Sequence, residues 1–235
     1  MTRALFVRHG QASAGASDYD DLSALGRLQS QRLGRWLAMR GKAPTHVLVG
    51  PRRRHRDTFL ELASAYQEAG GRALAEPTTL EALDEHHGIQ LLVALAPELA
   101  KRDDAIGDAA RRAFGGAGKR AFVELILLTM PAWARGELHH PDVERWSDFM
   151  ARARTIAPRL GELGDHAEVW VISSGGLISA VVGEALGCSL ERTFELMFAT
   201  RNTAMSELAL RGERGLTLFS FNTLPHLEEE HITFV

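Results

Sequence analysis

Arg8 and His9 stand side by side where an apolar run, Ala4-Leu5-Phe6-Val7, ends, and Gly10 follows them. A guanidinium presents a planar fork of donors suited to phosphate or carboxylate oxygens. A neutral imidazole presents a nitrogen that attacks an electrophile or carries a proton. Two further apolar runs end in polar clusters. His46–Val49 leads into Gly50-Pro51-Arg52-Arg53-Arg54-His55-Arg56-Asp57-Thr58, and Glu168–Ile172 leads into Ser173-Ser174-Gly175-Gly176. Arginines, a histidine, small hydroxyls and the N–H groups of a helix start together make an anion pocket if the three runs lie side by side.

The elements that must position these groups follow from periodicity. The three runs read as buried parallel strands, which need not alternate. A helix is expected from Ser23 to Arg40, with Ser23 as N-cap and Gly41 as stop, and a second from Arg54 to Ala69. Asp142–Leu163 carries Val143, Trp146, Phe149, Ala153, Ile156 and Leu160 on one stripe, so a single helix kinked at Pro158 is expected. Another helix should run from Leu177 to Leu186. Met205–Leu210 and Leu216–Phe221 read as strands of a hairpin turning through Arg211–Gly215. Strands alternating with helices give an α/β class, a three-layer αβα sandwich with a mainly parallel sheet. Residues 89–141 break that rhythm, with helical segments Leu91–Leu99, Ala105–Phe114 and Phe122–Leu128 and a glycine-rich hinge at Gly115–Gly118. They are read as a helical cap insertion over the active site, within a single domain spanning 1–235.

Composition narrows the classes. The chain has 235 residues, 45% of them hydrophobic, which is enough for a sizeable core. A net charge of −3 and a pI near 6.4 argue against general affinity for nucleic acid or acidic membranes. Cys188, the single cysteine, permits no intrachain disulfide. The run Ala121–Met130 is short and carries Glu124, so no membrane span is expected. Met1-Thr2-Arg3 leads straight into the first strand, leaving no room for a signal peptide. A cytoplasmic protein is expected, with no metal, no cofactor and no nucleic-acid or membrane partner. Its oligomeric state is open. The adjacent pairs His86-His87 and His139-His140 lack the spacing of a zinc-binding helix. Gly115–Arg120 lacks the Ser/Thr of a phosphate-binding loop. Cys188 reads as a packed core residue, and His226 has no assigned role.

Taken together, Arg8-His9-Gly10 after a strand, Leu22-Ser23-x-x-Gly26-x-x-Gln29, Pro51-x-x-Arg54-x-x-x-Thr58, Ser173-Ser174-Gly175-Gly176 before a helix and Asn202-Thr203 before a late strand resemble the histidine phosphatase superfamily, the phosphoglycerate-mutase-like fold. The resemblance covers residues 4–88 and about 142–222. It implies that His9 attacks phosphorus to form a phosphohistidine that water hydrolyses, with Arg8 and Arg54 clamping the phosphoryl oxygens. Such chemistry asks mainly for positioning and charge, so two arginines suffice without a metal. The resemblance also implies a general acid within Leu83-Asp84-Glu85-His86-His87-Gly88: Glu85, with Asp84 as the alternative. That acid would have to be held protonated by burial or by the incoming phosphate. Gln11, Ser13, Ser174 and Gly175 are the expected phosphate- or substrate-binding residues.

The chain departs from the family at Ser174, where a second histidine is usual. A neutral hydroxyl is about half as strong a donor as a charged group, and losing one such donor costs about 2.7–4 kcal/mol. If the substitution only weakens phosphoryl stabilisation, Ser174→His should raise or preserve turnover. Three functions are therefore expected in order. First comes a metal-independent phosphomonoesterase acting on a small phosphorylated substrate, then a weakened phospho-ligand sensor, then a mutase-type transferase. The mutase comes last because Ala12–Asp21 lacks the Trp-Asn and Phe-x-Gly-Trp elements of the mutases it resembles.

Overall fold

A computed structural model of the chain describes residues 1–13 and 20–234. Of the stretch Ala12–Asp21, which lacks the mutase elements, residues 14–19 lie outside the described residues. The described residues divide into two compact units, one formed by Met1–Glu85 with Arg152–Val235 and the other by His86–Ala151.

The first unit is built on a six-stranded sheet. Chain order begins with β1 (Thr2–Arg8), α1 (Ala24–Met39), β2 (His46–Val49), α2 (Arg53–Glu68) and the two-residue β3 (Thr78–Thr79). In the second unit come α3 (Gly88–Ala94), α4 (Ala96–Ala100), α5 (Ala105–Phe114) and α6 (Lys119–Ala134), then α7 (Trp146–Arg154), in which the division falls. The chain closes in the first unit with α8 (Ile156–Glu162), β4 (Glu168–Ser173), α9 (Gly175–Leu186), α10 (Leu190–Ala199), β5 (Met205–Leu210) and β6 (Leu216–Thr223). The strand order is β3-β2-β4-β1-β5-β6. β2, β4 and β1 are parallel neighbours, with Val7 opposite Ile172 and Val49 opposite Ile172. β5 and β6 are antiparallel. The sheet is mixed with a parallel centre, as the alternating pattern predicts.

Side chains on the two faces of this sheet form separate cores. Val7, Val47, Val49, Trp170, Ile172 and Met205 pack with Leu33 and Leu37 of α1 and Phe59, Leu62 and Tyr66 of α2. Period-2 alternation sends Phe6, Leu48, Val171 and Leu208 to the opposite face, and all four are buried. There α9 lies against β1 and β6. Every residue from Gly175 to Gly183 in that helix is buried. A helix apolar all round belongs inside a core, which explains the lack of amphipathic patterning in its sequence.

Helix boundaries follow local chemistry. Ser23 accepts from the Gly26 N–H at 3.0 Å and caps α1, and Gly41 adopts φ +61° just past its end. The helix expected over Asp142–Leu163 is two helices: α7 starts only at Trp146, and the chain breaks at Thr155 before α8. Pro158 sits in the first turn of α8, where its missing N–H is harmless, and its ring would crowd the carbonyl of Arg154 in a continuous helix. Likewise the expected Leu91–Leu99 helix divides at Leu95, because Pro97 occupies the first turn of α4. The helix expected over Phe122–Leu128 extends to Lys119–Ala134 and passes through Pro131. Met130, Ala132 and Trp133 beyond it are buried, so packing outweighs the lost hydrogen bond. In this second unit Trp146 stands edge-on to Trp133 at 5.3 Å and tilted against Phe149 at 5.2 Å. Cys188 is partly buried rather than a core residue, because α9 ends on Gly187 in the left-handed conformation and turns the chain outward.

Candidate active site

Because β2, β4 and β1 run parallel side by side, the polar clusters that follow them share one edge of the sheet, the edge where ligands bind in open α/β sheets. The ladder continues past the strands: His9 N donates to Ser173 O at 2.9 Å and Gly50 N to Ile172 O at 2.9 Å. His9 is buried, 6% exposed. Its Nδ1 lies 2.7 Å from the Gly10 carbonyl. A carbonyl only accepts, so Nδ1 carries the proton and Nε2 the lone pair. Burial first, then the charges of Arg54 and Arg8, hold the His9 pKa well below its ordinary value. The ring is therefore neutral at physiological pH, with Nε2 as its nucleophilic atom.

The backbone around His9 is fixed from three directions. Thr58 Oγ1 accepts from Gly10 N at 3.0 Å and donates to the Arg54 carbonyl at 2.7 Å. This is the physical content of Arg54 and Thr58 four residues apart: one helical turn carries the guanidinium and pins the turn that bears His9. Asn202 Nδ2 donates to the His9 carbonyl at 3.1 Å, and Thr203 N to the Arg8 carbonyl at 3.1 Å. Thr203 adopts φ +54° to make that approach. Its hydroxyl meets Nε2 of buried His226 at 3.0 Å, which gives His226 a scaffold role. Gly10 itself passes so close to α1 that a Cβ would lie 2.4 Å from the Gly26 carbonyl oxygen.

Arg54, buried in the first turn of α2, points its fork at His9. Nε donates to His9 Nε2 at 3.2 Å, Nη1 to Asp20 Oδ1 at 2.6 Å and Nη2 to Ser174 Oγ at 3.3 Å. Arg8 Nη1 donates to the carbonyls of Thr200 and Phe234. Gly175 lies against this guanidinium, where a Cβ would come 3.3 Å from Arg8 Nε. Ser174 is fully buried at the N-cap of α9.

The two carboxylates offered by the sequence have different surroundings. Asp84 is paired with Arg52, Nε to Oδ1 at 2.5 Å and Nη2 to Oδ2 at 3.0 Å. Burial works against its charge, but the Arg52 hydrogen bonds and charge outweigh it and hold the carboxyl below its ordinary range. Glu85 instead turns to the start of α9, where Gly176 N donates to its Oε2 at 3.3 Å. Its segment is anchored by Ser173 Oγ on the Leu83 carbonyl at 2.7 Å and Arg152 Nη1 on the Asp84 carbonyl at 2.7 Å.

Gln11 and Ser13 serve the local frame in this structure. Gln11 N donates to Gln29 Oε1 at 2.9 Å, and its own Oε1 accepts from Ser23 Oγ at 2.8 Å. Ser13 N donates to the Asp21 carbonyl at 2.8 Å. His86 lies 5.6 Å from Trp133 and 5.7 Å from Phe149, ring to ring. Two site residues escaped the sequence reading. Asp20 also caps α2, accepting from Arg53 N at 2.7 Å, and one aspartate among Asp18, Asp20 and Asp21 gives no signal of that. His55 is buried with Nε2 2.7 Å from Ser174 Oγ and its ring 5.7 Å from His9. Its position directly after Arg54 was the available clue.

A model of the histidine phosphatase superfamily (branch 1) matches residues 112–223. Solved structures cover the whole fold. An alpha-ribazole phosphatase from Shigella flexneri is similar at 17% identity and TM-score 0.63, over 94% of this chain and 96% of that one. The chain is similar to that family over just under half of its length and shares the fold of this structure. A phosphoserine phosphatase from Entamoeba histolytica, solved with phosphoserine, is similar at 14% identity and TM-score 0.63, over 97% of this chain and 100% of that one. A mycobacterial glucosyl-3-phosphoglycerate phosphatase, solved with VO3, is similar at 20% identity and TM-score 0.61, over 94% and 99%. No curated protein sequence matches the chain. The six-stranded sheet and its helices match the fold of these structures.

Proposed function

We propose that this chain is a histidine phosphatase superfamily member that hydrolyses phosphomonoesters through a phosphohistidine on His9. The observation that carries the reading is the proton placement on that ring: Nδ1 faces the Gly10 carbonyl at 2.7 Å, and Nε2 faces the Arg54 fork at 3.2 Å.

In the first step His9 Nε2 attacks phosphorus in line with the ester oxygen. The P–N bond forms, the P–O bond breaks, and the leaving oxygen takes a proton from the Glu85 carboxyl group. Arg54 and Arg8 hold the equatorial oxygens as charge spreads over them. The first N–H groups of α9 add donors on the same side. The imidazolium formed on phosphorylation keeps its Nδ1 proton on the Gly10 carbonyl. In the second step Glu85 removes a proton from water, the water oxygen bonds to phosphorus, and the P–N bond breaks to release inorganic phosphate. Glu85 is chosen over Asp84 because the Arg52 pair keeps Asp84 ionised and occupied. The named relatives act on alpha-ribazole phosphate, phosphoserine and glucosyl-3-phosphoglycerate, and a small phosphorylated metabolite is the substrate class proposed here.

Incubation with p-nitrophenyl phosphate and a panel of phosphorylated metabolites tests the reading. Turnover lost in His9→Ala is expected. Phosphate or vanadate binding with no turnover would support a phospho-ligand sensor instead, and intramolecular phosphoryl migration in a bound substrate would support a mutase.

A further inference from the structure

We propose that His55 is a positioning residue for phosphoryl transfer, setting the Ser174 hydroxyl and, through it, the Arg54 fork. The inference rests on the phosphatase reading above. Three observations carry it. His55 and Ser174 are both 0% exposed, and burying two polar groups is costly unless they satisfy each other. They do, with Nε2 to Oγ at 2.7 Å, while Arg54 Nη2 lies on the same Oγ at 3.3 Å. The fold also makes room for this ring: a Cβ on Gly50 would sit 2.3 Å from His55 Nδ1. A glycine at the end of β2 thus seats an imidazole between the strand and the nucleophile.

Proton accounting shows what the arrangement does. His55 Nδ1 lies beside Gly50, whose backbone forms a hydrogen bond with the ring. The Gly50 N–H is already spent on the Ile172 carbonyl, so the Gly50 carbonyl accepts and the ring proton sits on Nδ1. Nε2 then carries the lone pair, and Ser174 Oγ donates to it at 2.7 Å. The same oxygen accepts from Arg54 Nη2 at 3.3 Å. The imidazole thus fixes the rotation of the hydroxyl, turns its lone pairs toward the guanidinium and holds one arm of Arg54. Burial and the neighbouring Arg54 charge push the His55 pKa down to about 3, so this proton does not come and go at working pH.

The test is a double-mutant cycle on the full chain with p-nitrophenyl phosphate, using His55→Ala, Ser174→Ala and the pair. Misplacing one donor arm of a guanidinium that holds the phosphoryl group lowers catalysis by roughly 10²-fold. We expect kcat to fall by that order in His55→Ala with KM little changed, and a similar loss in Ser174→Ala. The double variant should be no slower than either single, because both act through one hydroxyl. His55→Gln, whose amide oxygen offers a neutral acceptor, should recover part of kcat and guards against a folding failure of the alanine variant. Multiplicative losses, an unchanged kcat in His55→Ala, or a fall in thermal stability with KM and kcat intact would overturn the proposal. Wild-type protein without turnover would instead overturn the phosphatase reading.

Discussion

Acid should unfold this protein well above the pH at which its carboxylates protonate. Three buried histidines, His9, His55 and His226, are held neutral in the folded chain. Burial is the first cause in each, and cationic arginines add to it: Arg54 near His9 and His55, and Arg32 near His226. The His55 pKa lies at about 3 and that of His226 at about 4, whereas an unfolded histidine titrates near 6.5. Between these values the unfolded chain binds more protons than the folded one, so stability rises with pH and is lost as pH falls below about 6.5. At pH 5 each ring is about 1.5 pH units into that window, costing about 2 kcal/mol at ~1.36 kcal/mol per unit. His55 and His226 together cost about 4 kcal/mol on this scale, and His9 adds in the same direction. Against a typical total of about 5–15 kcal/mol the effect is large. Asp84 and Glu61, held below the ordinary carboxylate range, stay ionised at pH 5 and do not mask it. The assay is urea unfolding at pH 7.5 and pH 5, with His226→Gln as a variant that should remove about half of the difference. Equal unfolding free energies at the two pH values would refute the claim that these rings are buried neutral. The availability of the His9 lone pair would fall with it.

Three further outcomes follow from the site. Glu85→Gln should lower kcat by about 10²–10⁴ for alkyl phosphates, which need a proton on the leaving oxygen, and far less for p-nitrophenyl phosphate; steady-state kinetics on the two substrates separates them. Gly175→Ala places a methyl group 3.3 Å from Arg8 Nε, so KM for phosphate esters should rise several-fold while the melting temperature stays within a few degrees. Ser174→His, expected to raise or preserve turnover if the serine only weakens phosphoryl stabilisation, should instead abolish it, because His55 already fills the space 2.7 Å from Ser174 Oγ. Combining that change with His55→Ala should restore activity, as measured by initial rates.

Much of this arrangement was legible beforehand because strand ends and helix starts carry strong local signals. Arg8-His9, Arg54 and Ser174 each follow a short apolar run, and three parallel strands leave their polar ends on one edge. The Thr58 spacing from Arg54 is likewise a helical turn. Two features were not legible, for physical reasons. α10 has a Ser189 N-cap and apolar residues at Leu190 and Phe194, but Gly187 and Cys188 just before it read as the end of an apolar helix. His55 lay inside a run of four arginines, Arg52 to Arg54 and Arg56, where charge dominates the reading. Only a tertiary contact with Ser174, 119 positions away, reveals its use. The choice between Asp84 and Glu85 also needed coordinates, since it depends on which carboxylate Arg52 captures.

The most direct measurement is rapid quenching of the enzyme with ³²P-labelled substrate, followed by peptide mapping. The account predicts one acid-labile, base-stable phosphoryl group on the peptide bearing His9, absent in His9→Ala. An acid-stable phosphate on Ser174, or turnover that persists without His9, would contradict it.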